Sequence, residues 1–243
     1  MMKITSSITN KKLNEANKRL SVLYSKIPET KGCLENIYAE KNPCKAWCCE
    51  SQNPQVLYVE FLNAWNHILH NYTNDEILNI IKSCLEKYLS ESNIKGCIFF
   101  DTNRRLCTIH EQRPYNCRIY GVTPDEEFKP RYEKLKVIYP HIKYQCSLVK
   151  TKNDTTVTKK NIDNWWLELK SIEMSTGIKH DDIHDDIGGS YRTFYDHILL
   201  HLLGEEGMEY LTHVRLNFTT NEKAKAIDNS LTQIRKFLTN IKK

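Results

Sequence analysis

CIFFDTNRRLCTIHEQRPYNCRIY, residues 97–120, carries cysteines at ten-residue intervals: Cys97, Cys107 and Cys117. A Glu-x-Arg-Pro turn (Glu111, Arg113, Pro114) stands just before the last of them. Gly96 interrupts the helical pattern that precedes the stretch. Cys97-Ile-Phe-Phe is a short apolar run of strand type, Asp101-Thr-Asn103 is a turn, and Leu106 to Ile109 is a second short strand. The expected product is a small hairpin presenting Cys97 and Cys107. Pro114 then starts a short helix carrying Cys117, Arg118 and Tyr120, and Gly121 suits its end.

Working outward, a second cysteine cluster lies upstream at Cys44-Lys-Ala-Trp-Cys48-Cys49, with Cys33 before it and Cys146 downstream. Residues 10–27 repeat Leu13, Ala16, Leu20, Leu23 and Ile27 at helical spacing, and Pro28 ends the run. Residues 29–53 read as loop with one or two helical turns. Pro54 is placed to open a helix over about 55–71, striped by Leu57, Phe61, Trp65 and Ile68. Thr73 with Glu76 three residues on is a capping box, and it opens a helix with Ile77, Ile80, Ile81, Cys84, Leu85 and Tyr88 on its apolar face. Cys84 therefore reads as a buried core thiol. Further helices are expected at about 125–138, 158–175, 190–203, 206–217 and 222–241, with Gly188-Gly189 as a separator. The fold class is mainly α: a helical domain with a small β-hairpin and Cys-rich loops around a metal centre. Residues 1–150 form the cysteine-cluster region, and 151–243 a C-terminal helical region packed on it as one structural unit. Trp165 and Trp166 are the side chains expected to join the two.

Composition narrows the class. The chain has 243 residues, 40% of them hydrophobic and 27% charged, which is ordinary for a folded domain. A net charge of +5 with no basic run interleaved with aromatics argues against a nucleic-acid face. No stretch is long and apolar enough to span a bilayer, and residues 1–20 lack the apolar core and cleavage site of a secretory signal. A cytoplasmic location is the expectation. In a reducing compartment nine cysteines point to metal or redox chemistry rather than to disulfides.

With Cys84 set aside, the thiol set is Cys33, Cys44, Cys48, Cys49, Cys97, Cys107, Cys117 and Cys146. One four-thiolate site needs half of these and two sites need all. Thiolates suit zinc, copper(I) and iron–sulfur clusters. Zinc knuckles of the Cys-x-x-Cys type are missing, and so are the ferredoxin runs, so spacing fixes neither metal. In an extended backbone Cys48 and Cys49 would point to opposite sides, leaving one to face a second site or solvent. Four thiolates around a metal leave a negative centre, and Arg104, Arg105, Arg113 and Arg118 run between the ligands. Arg113 and Arg118 are expected to hydrogen-bond coordinated sulfur, with His110 beside them.

The combination of Cys48-Cys49, Cys97-Ile-Phe-Phe-Asp101, Cys107-Thr-Ile-His-Glu-x-Arg-Pro and Cys117-Arg118-x-Tyr120 resembles the zinc- or iron-chelating cysteine-cluster family of the YkgJ type, over about residues 30–150. His110 stands where that family often has Tyr, and the spacing from Cys44 to Cys49 is wider than in some members. The resemblance implies a cysteine-ligated metal. A related branch, similar to flagellin lysine N-methylases, joins such a cluster to methyl transfer. This chain has no Gly-rich strand-to-helix loop of the kind that holds a methyl donor in many such enzymes.

The C-terminal region offers two histidine pairs. His180-Asp-Asp-Ile-His184 has metal-site chemistry if helical, and a flexible acidic loop is the alternative. His197-Ile-Leu-Leu-His201 lies on a firmer helix among Phe194, Ile198, Leu202 and Leu203; hydrogen-bonded core histidines are the simpler account. If the chain is an enzyme, His197, His201 and Asp196 are the catalytic candidates. The functional expectation is a [4Fe–4S] protein in redox or cluster-dependent chemistry on a small molecule or protein side chain, served by an electron donor. A structural zinc or metal-chelating module and a lysine methylase-like enzyme are the alternatives.

Overall fold

The computed structural model describes residues 10–29, 47–51, 53–90, 96–104, 106–138, 151, 153, 155–177 and 191–241. Cys33, Cys44, Cys146 and the segment from His180 to His184 lie outside the described residues. Nine α-helices are described: α1 (Asn10–Ser25), α2 (Trp47–Ser51), α3 (Tyr58–Asn71), α4 (Asn74–Leu89), α5 (Tyr115–Tyr120), α6 (Asp125–Ile138), α7 (Lys159–Ser175), α8 (Phe194–Asn217) and α9 (Thr220–Ile241). Two two-stranded antiparallel ribbons accompany them, β1 (Gln55–Val56) with β4 (Arg192–Thr193), and β2 (Phe100–Asp101) with β3 (Leu106–Cys107). The fold is mainly α, as the hydrophobic periodicity requires.

α3 is the axis of the packing, because its two sides serve two cores. Phe61, Trp65 and Ile68 face a cluster built from α4, α8 and α9, where Ile77, Ile81, Leu85, Ile198, Leu211 and Ile234 are buried. Val59, with Leu57 just before the helix, faces a second cluster containing Leu20 and Leu23 of α1, Leu169 and Ile172 of α7, and Tyr115 of α5. α4 lies along α8 and α9, and α1 along α7. Trp165 is buried in this second cluster, and the Trp166 ring meets Tyr115 at 5.6 Å and Tyr191 at 5.5 Å between centroids.

The N-terminus of α3 departs from the sequence expectation. Pro54 does not start the helix. Gln55 and Val56 instead pair with Thr193 and Arg192, and the helix begins at Tyr58. Two buried carboxylates satisfy the freed backbone there: Glu60 Oε2 accepts from Leu57 N at 3.1 Å, and Glu173 Oε2, from α7, accepts from Val59 N at 2.8 Å. Negative charge at this end also complements the helix dipole.

α4 is capped as expected, Thr73 Oγ1 accepting from Glu76 N while Glu76 Oε2 accepts from Thr73 N at 2.7 Å. α7 has the same device in Thr158 and Asn161. α8 is broken at Gly204, whose φ of 69° and ψ of −175° are not helical. Arg215 acts electrostatically on both Tyr195 and Asp196. A straight helix would hold Asp196 roughly 28 Å from Arg215 at 1.5 Å per residue, so the two arms fold back on each other. The separate helices expected over 190–203 and 206–217 are these arms.

His197 and His201 belong to this packing. His197 stacks on Phe61 at 5.2 Å and 15°, and its Nε2–H donates to Val56 O at 3.0 Å. His201 Nδ1 is 3.0 Å from the Tyr58 hydroxyl, and Asp196 caps the first turn of α8 by accepting from Thr193 Oγ1 at 2.6 Å. All three candidate catalytic groups thus have structural partners. Burial lowers the pKa of His201 from 6.5 to about 4. An unfolded histidine takes up its proton near pH 6.5 and the folded one does not, so stability falls as pH drops through that window. Between pH 7 and 4 the wild-type unfolding free energy should fall by about 3 kcal/mol more than that of His201→Gln, measured by urea titration. Equal losses in the two proteins would refute this.

Candidate metal centre

Local backbone chemistry brings three separated stretches of chain together. Gly96 adopts a φ of 95°, in the left-handed region, and a Cβ placed there would lie 2.7 Å from Glu50 O. This close approach lets Cys97 N donate to Cys49 O at 2.6 Å. Lys87 of α4 donates to Gly96 O at 2.6 Å and holds the junction from the other side. From Cys97 the chain turns into the hairpin, Phe100 N bonding Cys97 O at 3.1 Å and Thr108 N bonding Phe99 O at 2.8 Å. In the ladder Phe100 is opposite Cys107. Cys97 therefore immediately precedes the paired strand rather than lying within it. Buried Phe99 anchors the hairpin edge-on against Phe194 at 5.0 Å, and Tyr72 OH donates to Thr108 O at 3.0 Å.

The third stretch is α5. Pro114 is its N-cap, and Cys117 N donates to Pro114 O at 3.0 Å. The helix is fixed from beneath: Tyr115 N donates to Glu60 Oε1 at 2.6 Å, and Tyr115 OH donates to Ile162 O at 2.7 Å.

These elements place five thiols together. Cys48 and Cys49 have Sγ atoms 3.9 Å apart, and the Cys107 thiol bears electrostatically on Cys49. Cys97 feels the charge of Cys48, and Cys117 that of Cys97 and Cys48. The expectation that Cys48 and Cys49 face opposite ways rested on an extended backbone. They lie instead on α2, where successive side chains are about 100° apart and can serve one centre. Cys84 is buried, as expected for a core thiol, yet it lies close enough to Cys97 to feel its charge. All six described cysteines are free thiols. Among the described residues no group of three or more His, Cys, Asp or Glu is drawn into a ready-made coordination sphere. The sulfurs converge without closing on a single point.

Burial keeps these thiols protonated in the absence of a metal. Burial pushes the Cys97 thiol up to about 11, opposed by the Phe99 backbone and Lys87. Burial, reinforced by Cys97 and Cys48, raises Cys117 well above the usual thiol range, and Arg113 opposes the rise. Cys49 is also pushed far up, first by the Cys107 thiol and then by burial. Several buried sulfurs that resist ionisation together are the donor set a metal ion or cluster would stabilise as thiolates.

Arg113 supports that fit. It is only 8% exposed, and its buried Nε has no hydrogen-bond acceptor among the described residues. Its charge, which already opposes the rise at Cys117, would offset a thiolate there. Its Nη1 donates to His110 Nε2 at 2.8 Å. Burial, followed by the charges of Arg113 and Arg118, lowers His110 to about 4, which leaves the ring neutral and able to accept. Arg118 is used differently: Nε donates to Arg113 O at 2.8 Å and Nη2 to Glu111 O at 2.7 Å, while the guanidinium lies 4.1 Å over the Tyr24 ring. Its observed bonds brace the loop and do not go to sulfur. Arg104 is turned away, paired with Asp101 at 2.6 Å.

Three contributors escaped the sequence reading. Lys87 sits near the end of an amphipathic helix, where a lysine is ordinarily solvated. Glu60 interrupts the apolar run Leu57-Tyr-Val-Glu-Phe-Leu, and that lone carboxylate was the available signal. Tyr24 donates to Glu60 Oε1 at 2.5 Å, a partnership between residues 36 positions apart that no local pattern encodes.

Comparison with known families gives one match. The description CxxCxxCC, "Putative zinc- or iron-chelating domain", fits residues 39–161, just over half of the chain. The chain belongs to this family of cysteine-cluster, metal-chelating domains. Of the Cys-x2-Cys-x2-Cys-Cys string in the family's name it keeps the terminal pair, Cys48-Cys49, with Cys44 four positions before it. No curated protein and no solved structure matches the chain. The methylase-like resemblance therefore stays one of motif alone.

Two substitutions test the geometry. Gly96→Ala should lower stability by about 2 kcal/mol in urea unfolding, because it adds left-handed strain to a backbone clash, and should reduce bound metal. Cys117→Ser should lower metal content measured by plasma mass spectrometry, whereas Cys84→Ser should retain it. Equal loss in the two cysteine variants would contradict this division of roles.

Proposed function

We propose that four of the five thiols of Cys48, Cys49, Cys97, Cys107 and Cys117 hold a [4Fe–4S] cluster, and that this centre acts on a small molecule or a protein side chain brought to its edge. What supports the reading is an open cleft lined by Arg113, Arg118 and Tyr24, though by none of the described thiols. Arg113 and Tyr24 are both electrostatically coupled to Cys117. Structural metal sites are closed, whereas working ones keep access for a reactant. A [4Fe–4S] cluster, like a tetrahedral ion, takes four thiolates, so one of the five thiols is left as a non-ligand. A bound cluster would supply one-electron chemistry, with an electron donor as partner. The chain's own residues would hold the thiolates, offset their charge through Lys87 and Arg113, and position the reactant against Cys117. Unpaired thiols of this kind suit a reducing, cytoplasmic setting.

Zinc is the second occupant with an observation in its favour. Two Zn–S bonds of about 2.3 Å at a tetrahedral angle span roughly 3.8 Å. The Cys48–Cys49 separation of 3.9 Å matches that edge. The role would then be metal chelation or a structural module.

Anaerobic purification followed by iron, sulfide and zinc analysis separates the two. The expected result is about four irons and four sulfides per chain, a brown protein and a Mössbauer spectrum of the cluster. Stoichiometric zinc with no iron would establish the chelating module instead.

A further inference from the structure

The cleft beside Cys117 has a volume of about 610 Å³ and lies between α1 and the loop leading into α5. That size is within the roughly 300–1,000 Å³ of small-molecule sites, although such sites are usually apolar. This one is not. Asn17, Ser21 and Tyr24 of α1 face Gln112, Arg113 and Arg118 across it. Its ligand must therefore be recognised by hydrogen bonds and charge.

Two polar atoms at the cleft have no hydrogen-bond partner among the described residues. Arg113 is more than nine-tenths buried, and its Nε donates to nothing among the described residues. Asn17 Oδ1 is likewise buried without a donor. A buried donor of this kind is costly to leave unmet, and an oxygen anion is its natural acceptor. Arg118 adds a second guanidinium. Its plane is already fixed by the carbonyls of Arg113 and Glu111 and by the Tyr24 ring, so little ordering is lost on binding. Two carboxylates, Glu29 and Glu111, also line the cleft, but both are exposed, the Glu111 side chain by 85%, so solvent screens them.

We propose that this cleft binds a small oxyanion, a carboxylate or phosphate group on the molecule the centre acts on, with Arg113 as its main donor and Arg118 as a pre-set second. The ligand's role as reactant rests on the metal-centre proposal; the binding itself requires only the cleft. Asn17 Oδ1 would accept a hydrogen bond from an N–H or O–H elsewhere on the same molecule.

Calorimetry on the metal-loaded full chain, using inorganic phosphate and separately acetate against chloride of equal ionic strength, tests this. At least one should bind with a Kd of about 1 mM or tighter, and which one binds identifies the anion. Ser21→Glu, an exposed α1 change away from the thiols, should weaken that binding about tenfold or more through like-charge repulsion, whereas Ser21→Lys should not weaken it. Metal content, measured on the same samples, should be unchanged in both variants. Binding no better than chloride for both anions, or equal binding by Ser21→Glu and wild type, would overturn the inference. Anion binding by protein that as isolated carries no iron would uphold the cleft while the iron–sulfur proposal fails on the metal analysis, so the two failures are read separately.

Discussion

The buried carboxylate of Glu60 is the interaction on which the arrangement depends. One oxygen takes the Tyr24 hydroxyl from α1 and the Tyr115 amide from α5, and the other takes the Leu57 amide at the head of α3. Three elements that share the second hydrophobic cluster are thereby registered against one another. Burial raises the pKa of this carboxyl, while its hydrogen bonds and Arg118 hold it down. A buried acid is tolerable only when its lone pairs are occupied, and here three donors occupy them. The helix bearing Cys117 and the wall of the adjoining cleft both take their position from this one group.

The thiol site illustrates how positions far apart in sequence become neighbours through backbone rather than side-chain specificity. Cys49 and Cys97 are joined by a main-chain hydrogen bond that depends on Gly96 lacking a Cβ. The helical turn of α2 gathers the adjacent pair, and the hairpin register presents Cys107. Compensating positive charge comes from Lys87 and Arg113. The family to which the chain belongs is defined by chelation, and this geometry gives a physical account of how the ligands are gathered.

Much of this was legible beforehand, for identifiable reasons. Periodicity located α1, α4, α7 and the two arms of α8, and the Thr73–Glu76 box marked the start of α4, because these signals are local. The hairpin and the short helix after Pro114 were legible for the same reason. What local pattern could not show was the pairing of Gln55–Val56 with Arg192–Thr193, since a two-residue ladder is set by tertiary contact. Pro54 offered a plausible helix start that this pairing displaced. The helical state of Cys48-Cys49 was hidden by the brevity of α2. Arg118 was assigned to sulfur because arginines often serve metal sites, whereas the Arg113 and Glu111 carbonyls lay nearer to it.

The fold-back at Gly204 bears on the order in which the molecule assembles. Its two arms return to within electrostatic reach of each other across a short stretch of chain, so bringing them together closes only a small loop. Bringing Cys49 to Cys97 instead closes a loop of roughly 50 residues, a slower event that gains support once α3 and α4 have docked on those arms. The helical frame is thus the early product of folding, and the ring of sulfurs is completed upon it last.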